Sequence, residues 1–150
     1  TDVPLPSGLQ DHHILDRDQM RTVLRTQVDV VLPQGCAVLN ADDAVCAGLA
    51  ELCDGDVIFY SQADRHDLLA AHCDAGRRFL LVQQGQVVLW RNHTATPLLD
   101  LTHPAVADLL QHHLPLPALL AAVGAALALD LPPPLVRAGV ETAAPFLAHA

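Results

Sequence analysis

The chain has 150 residues, of which 51% are hydrophobic and 17% charged. That composition describes one globular unit able to bury a core and excludes a disordered chain. The net charge is −9 and only Arg77 and Arg78 place two basic residues side by side; a nucleic-acid partner is excluded, because phosphate binding needs clustered Lys or Arg. All eight basic residues are arginine, which removes every mechanism that needs a lysine amine.

Residues 1–15 form an irregular, Pro- and Gly-containing lead-in. Met20, Val23, Leu24, Val28 and Val31 recur at helical spacing over 16–32, with Asp16 or Asp18 suited to the amino end. Pro33 and Gly35 mark a turn, and Cys36 to Leu39 is an apolar run of strand length. Asn40-Ala41-Asp42-Asp43 then reads as a polar loop leading into a helix over 43–52, with Asp42 or Asp43 as its cap. A polar loop at the carboxyl end of a parallel strand is where open α/β sheets take ligands.

Asp56 to Tyr60 is the next strand, β-branched and aromatic. A helix is expected from Asp64 to about Asp74, ended by Gly76. Phe79–Val82 and Val87–Trp90 flank Gln83-Gln84-Gly85-Gln86, a hairpin signal. Pro97 to Leu101 reads as a further short strand, and helices follow over 104–112, 116–129 and 133–141, the last opened by Pro132, Pro133 and Pro134. The alternation predicts an α/β fold: a mostly parallel sheet flanked by helices, with a β-hairpin and a helical carboxyl-terminal part, all in one unit.

Cys36, Cys46, Cys53 and Cys73 form no C-x-x-C pair and read as reduced thiols of a cytoplasmic protein. No secretory leader is read at the start, and the first residue, Thr1, suggests a trimmed terminus or an excised piece. The longest apolar run, Ala118 to Leu129, is about half the length of a bilayer span and reads as a buried helix, so no membrane is expected.

Gly35-Cys36-Ala37-Val38-Leu39-Asn40-Ala41-Asp42-Asp43 is similar to the G-x-A-V-L-N-A-D-D-P segment in the central domain of Mur-type ligases, cyanophycin synthetases in particular. The likeness continues in order through Val57-Ile58-Phe59-Tyr60-Ser61, the stretch Ala71-His72-Cys73-Asp74-Ala75-Gly76-Arg77-Arg78, and Gly85-Gln86-Val87-Val88-Leu89. It ends with the alanine-rich run 121–129 and Val136-Arg137-Ala138-Gly139-Val140, and so spans residues 16–142.

The resemblance implies a partial Mur-ligase-like central domain. In that family the domain binds ATP and Mg²⁺, activates a carboxylate as an acyl phosphate and lets an amine attack it. A P-loop and its Lys hold the triphosphate; this chain carries no G-x-x-x-x-G-K-[S/T]. The family's Asp-His pair falls at Ser7-Gly8, with His12 and His13 out of register, its metal-binding Lys falls on Leu24, and its adenine-side Asn falls near Ala118, after the disrupting Pro115 and Pro117.

The resemblance leaves Asn40, Asp42 and Asp43 as the remnant of a nucleotide site and assigns no catalytic and no metal-binding residue. ATP and Mg²⁺ are expected only where the missing segment is supplied. A plain strand-to-helix turn explains the same three residues.

Three functions follow. The first is a structural or interaction module, inactive alone, whose exposed sheet edge is covered by a homodimer or a partner protein. The second is part of an ATP-dependent amide ligase whose P-loop comes from a further segment or chain. The third is a small metal-binding module built on the nine histidines, although the pairs His12-His13 and His112-His113 diverge by about 100° on a helix. Cys73 beside His72 makes no nucleophilic dyad for the same reason.

Overall fold

The computed structural model describes Ile14, residues 16–63 and residues 67–143. Its elements follow in the order α1 (Arg17–Asp29), β1 (Cys36–Asn40), α2 (Ala44–Gly48), β2 (Asp56–Ser61), α3 (Asp67–Asp74), β3 (Phe79–Gln83), β4 (Gln86–Arg91), β5 (Thr94–Asp100), α4 (Pro104–His112), α5 (Leu116–Ala128) and α6 (Pro133–Glu141). The five strands form one sheet in the order β1-β2-β3-β4-β5. β1–β2 and β2–β3 are parallel, whereas β3–β4 and β4–β5 are antiparallel. The fold is therefore α/β, but its sheet is mixed: parallel pairing stops where α-helical crossovers give way to two tight hairpins.

Local signals explain most boundaries. Asp16 caps α1, its carboxylate accepting from Gln19 N–H at 2.8 Å. α1 ends at Asp29, short of the predicted residue 32, because Pro33 disfavours helix in the residue before it. α2 is only five residues long and tightens into a 3-10 turn over Leu49–Leu52. Gly76, at φ +69°, ends α3: its N–H reaches Cys73 C=O at 2.8 Å and Arg77 N–H reaches His72 C=O at 3.2 Å, a Schellman closure. The predicted start of α3 at Asp64 lies outside the described residues.

Strand alternation splits the core into two layers. Cys36, Val38, Ile58, Tyr60, Leu80, Val82, Val87 and Leu89 meet α4, α5 and α6 on one face. Ala37, Leu39, Val57, Phe59, Phe79 and Leu81 meet α1, α2 and α3 on the other. α2 and α3 share a face, as two crossovers of one hand into successive sheet positions require. α5 straddles β1 and β2, and a Cβ on its Gly124 would lie 2.5 Å from Val38 Cγ1. That glycine sets how closely the helix approaches the sheet.

The two sheet edges are treated differently. β5 carries Pro97 within it, and Arg137 of α6 donates from Nε to Leu98 C=O at 2.8 Å and from Nη2 to Pro97 C=O at 3.4 Å. A proline and a guanidinium thus blunt that edge. On β1 the register leaves the N–H and C=O groups of Cys36, Val38 and Asn40 pointing away from β2, and among the described residues they have no partner.

Candidate functional site

The Asn40–Asp43 loop lies where the sheet logic puts it, between the carboxyl end of β1 and the start of α2. Asn40 Oδ1 accepts the Asp42 N–H at 3.0 Å, folding the loop into an Asx turn. Asp42 Oδ1 accepts the Ser61 hydroxyl at 2.5 Å, and its Oδ2 accepts Gln62 N–H at 2.8 Å. Ser61 is fully buried at the end of β2, and its Oγ also accepts Ala63 N–H at 3.0 Å. Asp42 therefore clamps the ends of two parallel strands together.

Asp43, not Asp42, caps α2. Its Oδ1 accepts Val45 N–H at 2.8 Å and Cys46 N–H at 3.1 Å. Burial, followed by the charge of Asp43, raises the Cys46 thiol pKa. The Tyr60 phenol is also raised, by burial first and then by Cys46, Asp42 and Asp43.

The chemistry of this donor set does not fit Mg²⁺–ATP held by this chain alone. The first-turn amides of α2 that could receive a phosphate are already held by the Asp43 carboxylate, and the same negative charge repels phosphate. No lysine exists to replace them. Asn40 is the exception: its Nδ2 has no hydrogen-bond partner among the described residues. The sequence identified Asn40, Asp42 and Asp43 but not Ser61, whose only signal is a hydroxyl ending an otherwise apolar strand.

If these carboxylates serve the scaffold, removing them costs stability. Asp42→Ala removes the acceptor of the buried Ser61 O–H, leaving it only a 3.5 Å approach to Ala63 C=O, and is expected to cost about 1–3 kcal/mol. Asp43→Ala removes the cap, at about 1 kcal/mol. Urea denaturation checks both values; unchanged midpoints would return these side chains to a ligand role.

The other motif residues also have structural partners. The His72 ring is buried on α3, and its Nε2–H donates to Val57 C=O at 2.9 Å and to Arg78 C=O at 3.2 Å. The β2–β3 register begins at Phe59↔Phe79, so Val57 C=O lies beyond it and the imidazole takes the place of the missing strand donor. The ring meets Phe59 edge-on, with centroids 4.8 Å apart.

Arg78 Nη2 pairs with the Asp56 carboxylate at 3.0 Å, and its Nη1 donates to Leu127 C=O at 2.8 Å, tying the end of α5 to the sheet. Adjacent Cys73 turns instead to His93 in the β4–β5 turn, Sγ to Nδ1 3.6 Å. That contact ties the end of α3 to the β4–β5 turn.

A groove of about 620 Å³ crosses the α1–α3 face, floored by Val57 and Phe59 and walled by Ala50, Leu68 and Ala71. The Asn40–Asp43 loop does not line it. Among the described residues, no group of three or more His, Cys, Asp or Glu side chains converges as a metal site. All four cysteines are free thiols. No single helix among the described residues is long and apolar enough to cross a membrane. No protein-family model matches the chain, and no curated protein matches it.

Proposed function

We propose that this chain is a Mur-ligase-like α/β module, similar to cyanophycin synthetase, that is inactive on its own and serves in structure and interaction. The observation that carries this reading is the inward commitment of the Asn40–Asp43 loop. Asp42 uses both oxygens to join β1 to β2, and Asp43 closes the first turn of α2. His72, Arg78 and Arg137, each in a stretch that carries the resemblance, all hold backbone carbonyls. What the likeness preserves is a scaffold, and the open β1 edge is where it meets a partner.

A second reading follows from Asn40, whose Nδ2 donors have no partner among the described residues at the carboxyl end of β1. With a P-loop and Lys supplied by a further segment or another chain, the assembly becomes an ATP-dependent amide ligase with Asn40 beside the adenine. Isothermal titration with Mg²⁺–ATP, of the chain alone and together with candidate P-loop-bearing partners, separates the two. The module reading predicts no saturable heat in either case, whereas stoichiometric binding once a partner is present would overturn it and leave the ligase reading.

A further inference from the structure

Among the described residues the β1 edge is open, and its strand is uncharged and free of proline, whereas β5 is blunted by Pro97 and Arg137. An unguarded edge is a template for another strand. Its outward groups belong to Cys36, Val38 and Asn40, spaced evenly about Val38. A strand of the same sequence, turned about a two-fold axis through Val38, meets each outward donor with an acceptor. Val38 then faces Val38 of the second copy, and Cys36 faces Asn40 of the second copy, all as hydrogen-bonded antiparallel pairs.

The layer above the edge accommodates this. α5 lies over β1 and β2 alike, about half a strand spacing inboard of the edge. With strands about 4.8 Å apart, the two α5 helices come to about 10 Å, the upper end of ordinary helix packing. Each chain also carries a net charge of −9, so long-range repulsion opposes the pairing and salt relieves it.

We propose that a second copy of this chain adds its β1 antiparallel to β1 about Val38, making one continuous ten-stranded sheet. The inference deepens the interaction-module reading by naming its partner, and its test reads assembly without nucleotide. A failure here therefore leaves the Mg²⁺–ATP result standing.

Sedimentation equilibrium of the chain, at low and high salt, is the primary measurement. A monomer–dimer equilibrium that tightens with salt is expected. Val38→Pro removes an outward N–H while sparing the bonds to β2. The two-fold counts that loss twice, so dissociation should strengthen about tenfold or more.

Asn40→Cys, which needs no change in the strand backbone, puts a thiol opposite Cys36 of the second copy at a Cα separation of about 5.5 Å, within disulfide reach. Mild oxidation should give a covalent dimer whose 36–40 link is found by peptide mass spectrometry. A monomer at all concentrations overturns the proposal, and so does a dimer that Val38→Pro leaves intact and that yields no 36–40 link.

Discussion

Gly55→Ala is expected to destabilise the protein by about 3 kcal/mol, which for a chain of this size lowers the melting temperature by about 6–12 °C. Gly55 lies in the turn before β2, and a Cβ there would come within 2.6 Å of Leu32 C=O and collide with Gly35 C=O. Both obstacles are backbone, so no rotamer change relieves them. They also belong to a bonded structure: Gly35 N–H reaches Leu32 C=O at 2.7 Å, and Asp56 N–H reaches Gly35 C=O at 2.9 Å. The alanine must push apart the first rung between β1 and β2, on which the polar loop at the other end of β1 depends for its register. Paired urea denaturation curves measure the cost; a loss below about 0.5 kcal/mol, the level of an ordinary surface change, would contradict this account of the strand entrance.

The second large effect is expected at His72. His72→Ala removes the donor to Val57 and Arg78 C=O and leaves a cavity beside Phe59, at a cost of about 3 kcal/mol. The same residue sets a pH dependence. Burial holds its pKa below the ordinary histidine value; the charge of Arg77 adds to the depression, while the two carbonyls and Asp56 act the other way.

A folded-state pKa below the unfolded one means that the unfolded chain takes up the proton first. The stability His72 confers is therefore complete above the unfolded pKa, about 6.5, and is lost as pH falls from there towards the folded value. The slope approaches about 1.4 kcal/mol per pH unit within that window. Thermal unfolding of the wild type and His72→Gln across pH 7 to 5 tests this, since glutamine keeps an N–H donor but does not titrate there. Parallel pH profiles would assign the acid sensitivity to other groups.

Much of this fold was legible because its signals are local. Asp16 or Asp18, and Asp42 or Asp43, read as caps, and Asp16 and Asp43 are the ones that cap; Gly76 reads as a helix stop and adopts the left-handed conformation that such a stop requires. Gln84-Gly85 forms the two-residue turn that its glycine announces, with φ +51° and +75°. The second hairpin was harder to see. Asn92 and His93 take φ +49° and +58° with no glycine, and Thr94-Ala95-Thr96 is an exposed edge segment with no apolar run, so only the 97–100 part of β5 resembles a strand. This second hairpin adds an antiparallel pair to the one that the Gln84-Gly85 turn announces, so two of the four strand pairs are antiparallel.

The candidate site was legible in composition but not in role. Asn40, Asp42 and Asp43 are the expected residues at the expected loop, yet their meaning depends on contacts across sequence gaps. Asp42 meets Ser61 nineteen residues away, and His72 meets Val57 fifteen residues away. Periodicity reports which face a residue occupies, not which carbonyl awaits it there. Cys73 illustrates the limit: its sequence neighbour is His72, but its hydrogen-bond partner is His93.

The Asn40–Asp43 loop is occupied by its own scaffold. A backbone-amide NMR titration of the isolated chain with Mg²⁺–ATP, reading residues 40–46 and 61–63, tests this at the amides themselves. The amide shifts of Asp42, Val45, Cys46 and Gln62 are expected to stay fixed through the titration, since their N–H groups are held by Asn40, Asp43 and Asp42. Saturable shifts centred on those four amides would show instead that nucleotide displaces the internal bonds and that the loop is a ligand site.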